Sequence, residues 1–370
     1  MIAYGNVCMK NKGERMIKKT IVLLVLAAVA MTPLFAGGSQ AQPTFELALV
    51  TDHGPVDDRS FNQGAWEGVV QYAEEHGITH RFYRPAENSG SARLEAIRLA
   101  AEAGARVIVT PGFAFSEPVF IAQDEFPEIR FVLLDANPAR DGTTRIGDNT
   151  LSIFYAEEQA GFIVGYAAVR EGFRNLGFFG GVSVPAVVRF GVGYILGAEY
   201  AAREENVDVT MMYRYLGTFD ARPENKTLAS TWYNGGTEVI FVAAGGAINN
   251  AISAAEELSG KWVIGANVNQ QDLSPVILTS SLKQLRVSVY QAISDFYAGT
   301  FRGGEAINLT AAEEGVGIPD DFSRFQRFTR AHYDALLQRL ISGEITIPSS
   351  HTLSIPGDLG LQRTRVTVVN

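Results

Sequence analysis

The segment "FELALVTDHGPVDDRSFNQGAWEGV" (Phe45–Val69) passes from an apolar run through a polar loop into a helical pattern. The apolar run, residues 45–51, predicts a buried β-strand. Ser60 and Gln63 have the spacing of a capping box, so we predict a helix with Ser60 as its N-cap. The segment is therefore a β–loop–α unit, the building block of a parallel sheet covered by helices.

This unit recurs in two successive blocks along the chain. Strands are predicted at residues 45–51, 80–86, 106–112, 130–136, 175–182, 207–217, 238–246, 261–268 and 275–283. Helices are predicted near residues 60–76, 91–103, 116–126, 156–170, 188–204, 221–234, 247–258, 285–300 and 325–342. We therefore predict two doubly wound α/β lobes with a cleft between them. Lobe 1 would comprise residues 44–150 plus about 268–300, and lobe 2 residues 151–267 plus about 301–370.

The composition fits a folded globular protein and argues against one class of partner. The chain has 370 residues, of which 46% are hydrophobic and 19% are charged. The whole chain carries a formal net charge of −9 and residues 1–41 carry +4, so the remaining residues carry −13. Such an acidic body lacks the clustered positive charge that binding to nucleic acid requires.

Residues 1–41 have the pattern of a secretory signal peptide. The basic region "MIKKT" begins at Met16, an alternative start of translation, and the apolar run Ile21–Met31 follows it. Small residues at Ser39 and Ala41 predict cleavage after Ala41. The apolar run is short for a membrane span, although an uncleaved membrane anchor stays an alternative.

Cys8 is the single cysteine, and it lies inside the predicted signal peptide. The exported chain would thus have no disulfide, no thiol nucleophile and no cysteine ligand for a metal. The segment "LFAGG" places Gly37 and Gly38 where a lipoprotein needs its lipid-bearing cysteine. We therefore expect a periplasmic protein without a lipid anchor.

Loops at the carboxyl ends of strands are where open α/β sheets bind ligands. In the first such loop, Asp52, Phe61 and Asn62 follow the first strand. An aromatic ring beside an amide suits a planar heterocycle, because the ring stacks and the amide bonds the polar edge. The alternative is that Phe61 belongs to the core and that Asp57 and Asp58 are solvated turn residues.

Later strand-end loops supply further candidates, for which a core, capping or solvated role is the alternative. They are Phe113, Ser116, Glu157, Arg189, Phe190, Phe219, Gly245, Gly246, Asn267 and Lys283. One of Phe113 and Phe115 is expected in the core. Glu157 and Glu158 would also suit a helix N-terminus, where carboxylates compensate the helix dipole.

The sequence contains no recognised catalytic motif. Gly191, Gly193 and Gly197 form a G-x-G-x-x-x-G pattern rather than a dinucleotide fingerprint, so we assign them to helix packing. No G-x-S-x-G elbow, P-loop or H-E-x-x-H motif is present, and the five histidines are scattered. Asp57 and Asp58 lack the spacing of a Ca²⁺ loop. We therefore expect a binding protein with no catalytic residue, no metal and no cofactor.

Seven segments together resemble a known family. They are "TDHGPVDDRSFNQGAWEGV", "GFAFSEP", "EEQAGFIVGYAA", "RFGVGYILGAEY", "VAAGGA", "KWVIGANVNQ" and "LTSSLK". Over residues 44–300, in the same order, they resemble the basic membrane protein family of substrate-binding proteins of ABC importers, whose characterised members bind purine nucleosides. The resemblance implies a fold of the ribose-binding type and a monomer that holds a nucleoside between its lobes. It also implies a membrane permease and an ATPase as partners.

The resemblance further implies roles for the candidate residues. Phe61 would stack on one face of the base, and Phe219, or less favourably Phe190, on the other. Asn62 and a carboxylate near Glu157 would bond the base edge. The ribose hydroxyls would be held by Asp52, the backbone of Gly245 and Gly246, the residue at 267 and Lys283.

One departure from the family pattern bears on the ligand. Where the family reads G-V-D-x-D-Q, this chain has Asn267 and Asn269 in place of the two aspartates. Asn267 offers one acceptor oxygen and an amide donor instead of a carboxylate, and losing a charge-assisted bond costs about 1–2 kcal/mol. A free base, a sugar or another heterocycle is therefore an alternative ligand on the same scaffold, and an exported nucleoside hydrolase is the enzymatic alternative.

Overall fold

The apolar runs form parallel β-strands in the computed structural model of the chain, which describes residues 44–52, 54–349 and 357–369. The predicted signal peptide, residues 1–41, lies outside the described residues. In chain order the strands are β1 Leu47–Val50, β2 His80–Tyr83, β3 Val107–Pro111, β4 Arg130–Leu134, β5 Ala139–Arg140, β6 Thr143–Thr144, β7 Thr150–Tyr155, β8 Asn175–Gly180, β9 Val209–Tyr215, β10 Val239–Ala243, β11 Trp262–Asn267, β12 Ile277–Lys283, β13 Glu305–Leu309, β14 Val316–Gly317 and β15 Thr364–Val368.

Helices alternate with these strands along the chain. They are α1 Phe61–His76, α2 Gly90–Glu102, α3 Ser116–Glu125, α4 Glu157–Glu171, α5 Pro185–Glu205, α6 Pro223–Asn234, α7 Ile248–Glu256, α8 Leu285–Ala298 and α9 Arg330–Ile341. The predicted strands and helices are all present, with their ends shifted by a few residues. Strands β7, β13 and β15 and the short strands β5, β6 and β14 were not predicted from the sequence.

The strands form two large sheets with the same doubly wound order. The first sheet has the order β2-β1-β3-β4-β7-β13, and all of its strands are parallel. The second has the order β15-β9-β8-β10-β11-β12-β14, and only β14 is antiparallel to its neighbour. Every residue of β1 and of β10 is buried, as expected for parallel strands with both faces covered. The predicted fold class is confirmed.

We call the first sheet with α1–α3 and α8 the first lobe, and the second sheet with α4–α7 and α9 the second lobe. Within the described residues, the chain passes between the lobes after β7, after β12 and after β13. The predicted lobe ranges, 44–150 plus about 268–300 and 151–267 plus about 301–370, put most of β7 and all of β13 in lobe 2 and β12 in lobe 1. In the structure β7 and β13 belong to the first sheet and β12 to the second. Pairing with distant strands, and not position along the chain, decides which sheet a strand joins.

The start of α1 differs from the predicted capping box. Ser60 occupies the N-cap position, but its hydroxyl makes no capping bond. The carboxylate of Asp58 caps the helix instead, accepting the backbone N–H groups of Ser60 at 2.8 Å, Asn62 at 3.0 Å and Gln63 at 3.0 Å. A carboxylate at a helix N-terminus accepts stronger hydrogen bonds than a hydroxyl does. The idea that Asp58 is a solvated turn residue is therefore wrong, and the Ser60 hydroxyl is left for another contact.

The glycines of α5 let this helix touch its neighbour α4 backbone to backbone. A Cβ atom on Gly193 would lie 2.1 Å from the carbonyl oxygen of Glu158, and one on Gly197 would lie 2.0 Å from that of Phe162. A Cβ atom on Gly191 would lie 2.1 Å from a tyrosine hydroxyl of β9. Such distances leave no room for a side chain. The predicted role of these three glycines in helix packing is confirmed.

Helix α4 contributes two glycines of its own to this contact. A Cβ atom on Gly161 would lie 2.2 Å from the carbonyl oxygen of Phe190, and one on Gly165 would lie 2.2 Å from that of Tyr194. Each helix therefore presents glycines to the carbonyl groups of the other. We call Gly161, Gly165, Gly193 and Gly197 the glycine seam.

Substitution within the glycine seam should separate the two helices. We expect Gly197→Ala to lower the free energy of unfolding by about 2 kcal/mol or more, because an added methyl group in a closed contact forces the backbones apart. The control is Gly90→Ala at the start of α2, where a Cβ atom would meet nothing within 4 Å. That control should be neutral or slightly stabilising. Urea unfolding of both variants is the measurement, and an equal loss in both would contradict the packing argument.

Candidate ligand-binding site

Lys283, the last residue of β12, lies in a buried cluster of charges. Its Nζ atom is 2.6 Å from Oδ2 of Asp135 and 2.6 Å from Oε1 of Glu157. Oε2 of Glu157 is 2.6 Å from Nε of Arg189, and that nitrogen is 3.8 Å from Oε2 of Glu158. The side chains of Lys283 and Glu157 are 1% and 0% exposed. Three carboxylates and two cations are thus held away from water, where each charge requires a partner. We call these five residues the charge cluster.

Both lobes supply residues to the charge cluster. Asp135 directly follows β4 of the first lobe, in a left-handed conformation with φ at 60°. Glu157 and Glu158 form the start of α4, and Arg189 lies near the start of α5. Because the glycine seam brings α4 and α5 into contact, it also brings the guanidinium of Arg189 to the carboxylate of Glu157.

Burial shifts the pKa values of the three acids to different extents. Burial raises the pKa of Asp135 to about 6, although the charge of Lys283 opposes this. Burial also raises the pKa of Glu158 to about 7, and the charge of Glu157 adds to the increase. Burial alone would raise the pKa of Glu157, but Lys283 and Arg189 together lower it below its ordinary value. Glu157 is therefore the permanent anion between the two cations, whereas Glu158 titrates near neutral pH.

Aromatic rings surround the ammonium group of Lys283. Its Nζ atom lies 5.0 Å from the ring centroid of Phe61, 5.1 Å from that of Tyr155 and 5.5 Å from that of Phe190. These distances permit cation–π attraction. Phe190 is buried and packs edge-on against Phe241, whereas Phe61 is only half-buried. Phe61 is therefore the one of these three rings that keeps exposed surface, although it also packs against the core.

The loop between β1 and α1 is held together by the amide of Asn62. Its Nδ2 atom donates to Oδ1 of Asp52 at 3.0 Å and to Oδ2 of Asp58 at 3.2 Å. Its Oδ1 atom accepts the N–H of Asp52 at 3.4 Å. Asn62 is buried, so these bonds fix the side chain and orient the carboxylate of Asp52 beside Phe61.

Phe113 and Ser116 lie after β3 in the first lobe. Phe113 is 48% exposed whereas Phe115 is buried, so the prediction that one of these two rings belongs to the core is confirmed. The hydroxyl of Ser116 donates to the carbonyl of Asn137 at 2.5 Å. The predicted contact between Ser116 and a ligand would therefore use the hydroxyl oxygen as an acceptor.

Phe219, Gly245 and Gly246 form a second group, at the strand ends of the second lobe. The half-buried ring of Phe219 lies over Gly181, where a Cβ atom would come within 2.3 Å of the ring. Gly245 has φ at 52°, and a Cβ atom there would lie 3.4 Å from Phe219. Phe219 thus packs against the backbone of both glycines. At Gly181 the ring leaves no room for a side chain, whereas at Gly245 the positive φ is what favours glycine.

Asn267 ends β11 and reaches the first lobe. Its Nδ2 atom donates to Oγ of Ser60 at 2.9 Å. The amide therefore uses its donor on protein and keeps its oxygen available as an acceptor.

Two polar residues near these groups were missed by the sequence analysis. Asp135 follows β4 in the same way as Asp52 follows β1, so the rule about strand ends would have selected it from "RFVLLDA". Its Oδ1 atom is buried and accepts no hydrogen bond from the described residues. Arg93 lies in the first turn of α2, where no sequence pattern identifies it. It is buried and donates from Nε to the carbonyl of Asp52 at 2.8 Å.

Two further observations concern the described ranges 44–52, 54–349 and 357–369. No helix in them has the length and hydropathy needed to span a membrane. They also contain no group of three or more histidine, cysteine, aspartate or glutamate side chains arranged to hold a metal ion.

Comparison with known proteins gives consistent results. The family described as "ABC transporter substrate-binding protein PnrA-like" matches residues 45–351. The ABC transporter nucleoside-binding protein BmpA of Lactococcus lactis subsp. cremoris (strain MG1363) is 26% identical over 366 residues, which cover 90% of this chain and 99% of that protein. Basic membrane protein A of Borreliella burgdorferi (strain ATCC 35210 / DSM 4680 / CIP 102532 / B31) is 28% identical over 336 residues, which cover 90% and 96%. A crystal structure of an ABC transporter solute-binding protein from Aeropyrum pernix K1 has a TM-score of 0.72 and 27% identity, covering 83% of this chain and 94% of that chain.

Two doubly wound sheets joined by repeated crossings, with charged and aromatic side chains at their strand ends, define a solute-binding protein of the periplasmic binding protein type I architecture. The chain belongs to the PnrA-like family of ABC transporter substrate-binding proteins. Membership in this family implies a small-molecule ligand and a membrane transporter as partner. Its relatives are transport proteins that bind a substrate, not enzymes.

The raised pKa of Glu158 gives a prediction about stability and pH. Between pH 4.5 and 7, a carboxyl with a folded-state pKa of about 7 keeps its proton in the folded protein. In the unfolded chain it loses the proton over this range, because its ordinary pKa of 4.5 applies there. Folding stability should therefore fall as the pH rises from about 5 to 8, by at most about 1.4 kcal/mol per pH unit for this proton. We expect Glu158→Gln to reduce this slope, measured by urea unfolding across that range.

The control for this experiment is Glu224→Gln, an exposed residue in the first turn of α6. It should leave the pH dependence of the unfolding free energy as in the wild type. A slope that is identical in all three proteins would mean that Glu158 is already ionised in the folded state.

Proposed function

We propose that this protein binds a purine nucleoside in the cleft between its lobes and delivers it to the permease of an ABC importer. The observation that carries the proposal is the half-buried ring of Phe61 beside the charge cluster, where Oδ1 of Asp135 is buried without a hydrogen bond. A heterocycle with N–H groups would stack on the ring and satisfy that oxygen. The nucleoside-binding name of the Lactococcus lactis relative supports the same ligand class.

The proposed pose places the base between two aromatic rings. Phe61 stacks on one face, and Phe219 is the better candidate for the other face because Phe190 is enclosed against the core. Asp135 bonds the base edge through Oδ1 in this pose. Asn62 and Glu157, which were predicted for that edge, are buried and engaged with neighbouring side chains, so they support the site without touching the base. Stacking contributes about 1–3 kcal/mol per face on the scale measured for bases on aromatic side chains.

The ribose is held by polar groups of both lobes in this pose. An ammonium has three N–H donors. Lys283 donates one hydrogen bond, to Oδ2 of Asp135, and forms an ion pair with Glu157, so in this pose it still has a donor for a ribose hydroxyl. Asn267 accepts a hydroxyl through its free oxygen. The remaining contacts come from Asp52, the backbone of Gly245 and Gly246, Phe113 and Ser116.

The location, oligomeric state and partners of the protein are further parts of the proposal. We propose an exported, periplasmic monomer without a lipid anchor, metal or cofactor, whose partners are the permease and the ATPase of the importer. Lobe closure around the nucleoside would give the permease a shape to recognise. Neither catalytic turnover nor binding to nucleic acid belongs to this function.

Calorimetric titration of the refolded chain from Gln42 onward is the direct test. The panel is adenosine, guanosine, inosine, cytidine, uridine, adenine and ribose, and refolding removes any copurified ligand. Micromolar or tighter binding of purine nucleosides, with ribose silent, is the expected result. Tight binding of a sugar alone would contradict the proposal, and release of free base from inosine would show an enzyme instead.

Removal of the Phe61 ring should weaken binding without unfolding the protein. We expect Phe61→Ala to raise the dissociation constant for the best nucleoside by roughly tenfold or more, which corresponds to the loss of one stacked face. The matched control is Phe82→Ala, which removes a ring that is 43% exposed on β2 at the edge of the first sheet. Equal affinities in the two variants would exclude the proposed pose.

A further inference from the structure

The end of β11 in the second lobe and the start of α1 in the first lobe are joined by two hydrogen bonds. Nδ2 of Asn267 donates to Oγ of Ser60 at 2.9 Å, and Nε2 of Gln270 donates to the carbonyl oxygen of Arg59 at 2.8 Å. Ser60 and Gln270 are 2% and 3% exposed. Asn267 is half-buried and Arg59 is exposed, so the two bonds lie in a partly buried contact between the lobes, where competition from water is reduced.

The second lobe fixes the side chain of Gln270 before it reaches the first lobe. The Oε1 atom of Gln270 accepts the N–H of Ala266 at 2.9 Å, and the backbone N–H of Gln270 donates to Oγ of Ser280 at 3.0 Å. A Cβ atom on Gly265 would lie 2.2 Å from that Oε1 atom, so the side chain occupies space that only a glycine leaves open. The amide donor of Gln270 is thus presented to the first lobe in one orientation.

The first lobe presents its acceptors with comparable precision. Arg59 is in the left-handed region with φ at 53°, a conformation that few residues with side chains adopt, and its N–H donates to Oε1 of Gln63 at 3.1 Å. The turn directs the carbonyl of Arg59 toward Gln270. Ser60 is free to accept from Asn267 because Asp58 caps the helix in its place.

An apolar contact accompanies these bonds. A Cβ atom on Gly64 in α1 would lie 2.8 Å from Cγ1 of Val268, which follows β11. The helix and the loop therefore approach as closely as a glycine permits. Hydrogen bonds and packing thus coincide at one place where the two lobes meet.

We propose that Gln270, with the Ser60–Asn267 bond, is an interlobe latch that positions the lobes in their closed arrangement. Gln270 sets the affinity for the ligand without touching it, since the apparent dissociation constant rises when the binding-competent arrangement is less populated. The inference rests on the proposed function in that the closed arrangement is the one that binds the nucleoside. It goes further in assigning this role to a residue outside the ligand contacts.

The latch is tested by measuring the distance between the lobes directly. The chain from Gln42 contains the compact unit Thr44–Asn370 and has no cysteine, so two labels can be placed without further change. Spin labels at Glu102→Cys in the first lobe and Glu224→Cys in the second report the interlobe distance by double electron–electron resonance. Both positions are exposed ends of helices.

Gln270→Met keeps the volume of the side chain and removes its hydrogen bonds. Without ligand, we expect a longer and broader distance distribution than in the wild type. The dissociation constant for the best nucleoside should rise roughly three- to tenfold, as expected for one hydrogen bond. Saturating nucleoside should restore the short distance, which a variant with a damaged site would not show.

The matched control is Gln271→Met at the neighbouring residue, which is equally buried but donates to the carbonyl of Leu278 within the second lobe. It should keep the wild-type distance and affinity. Ser60→Ala is the second variant in case Gln270→Met does not fold, because α1 does not depend on the Ser60 hydroxyl. It should shift the distance in the same direction.

An interlobe distance unchanged in both Gln270→Met and Ser60→Ala would overturn the latch, whatever happens to affinity. The distance measurement needs no ligand, so it decides this inference even if the wild type binds none of the nucleosides. If the wild type bound none of the nucleosides, the proposed function would be wrong, but the distance measurement would still decide whether the latch exists.

Discussion

The backbone contact between α4 and α5 constrains the rest of the site. Four glycines make it possible, since a Cβ atom on any of them would lie within 2.2 Å of a carbonyl oxygen of the other helix. Because α4 begins at Glu157 and α5 carries Arg189 in its first turns, the spacing of the two helices sets the distance between these charges. A buried ion pair is favourable only at short range and with good geometry. Helix packing, which looks like a property of the core, therefore determines the electrostatics of the strand ends.

The charge cluster also lies where the chain crosses between lobes. Glu157 comes two residues after the end of β7, and Lys283 is the last residue before the crossing to α8. Their contact at 2.6 Å therefore ties together two of the connections on which movement of the lobes depends. Since both side chains are buried, separating them would expose or strand a charge at considerable cost. Any change in the angle between the lobes must consequently leave Lys283 and Glu157 in contact.

Sequence patterns identified the helices, most of the strands and the fold class, but not the contacts that build the site. Apolar runs such as "RVIVTPG" report burial on both faces of a strand, which is a local property. The pair of Lys283 and Asp135 joins residues 148 positions apart, and no spacing rule reaches that far. The prediction that Ser60 caps α1 was wrong for a related reason. Ser60 and Gln63 match the capping-box motif, but the carboxylate of Asp58 accepts the N–H groups of Ser60 and Gln63 instead. Strand β7 was missed because its short sequence, with a serine inside, gains its burial from neighbours in the sheet. Strand β13 was missed because it is an edge strand, mostly exposed and with an asparagine inside, and so lacks the apolar run of a buried strand.

The replacement of aspartate by Asn267 acquires a different meaning from this geometry. Asn267 donates from Nδ2 to the hydroxyl oxygen of Ser60, whereas an aspartate at this position would have to accept a hydrogen bond from the same hydroxyl. Asn267 makes that bond and still offers its oxygen to a ligand. The exchange therefore gives up one charge-assisted acceptor and reverses the direction of the hydrogen bond between the lobes. Affinity for a ligand depends both on direct contacts and on how much of the protein is already in the competent arrangement. Asn267 keeps the hydrogen bond to Ser60 across the lobes and still presents an acceptor, so it can serve both the connection between the lobes and a contact with the ligand.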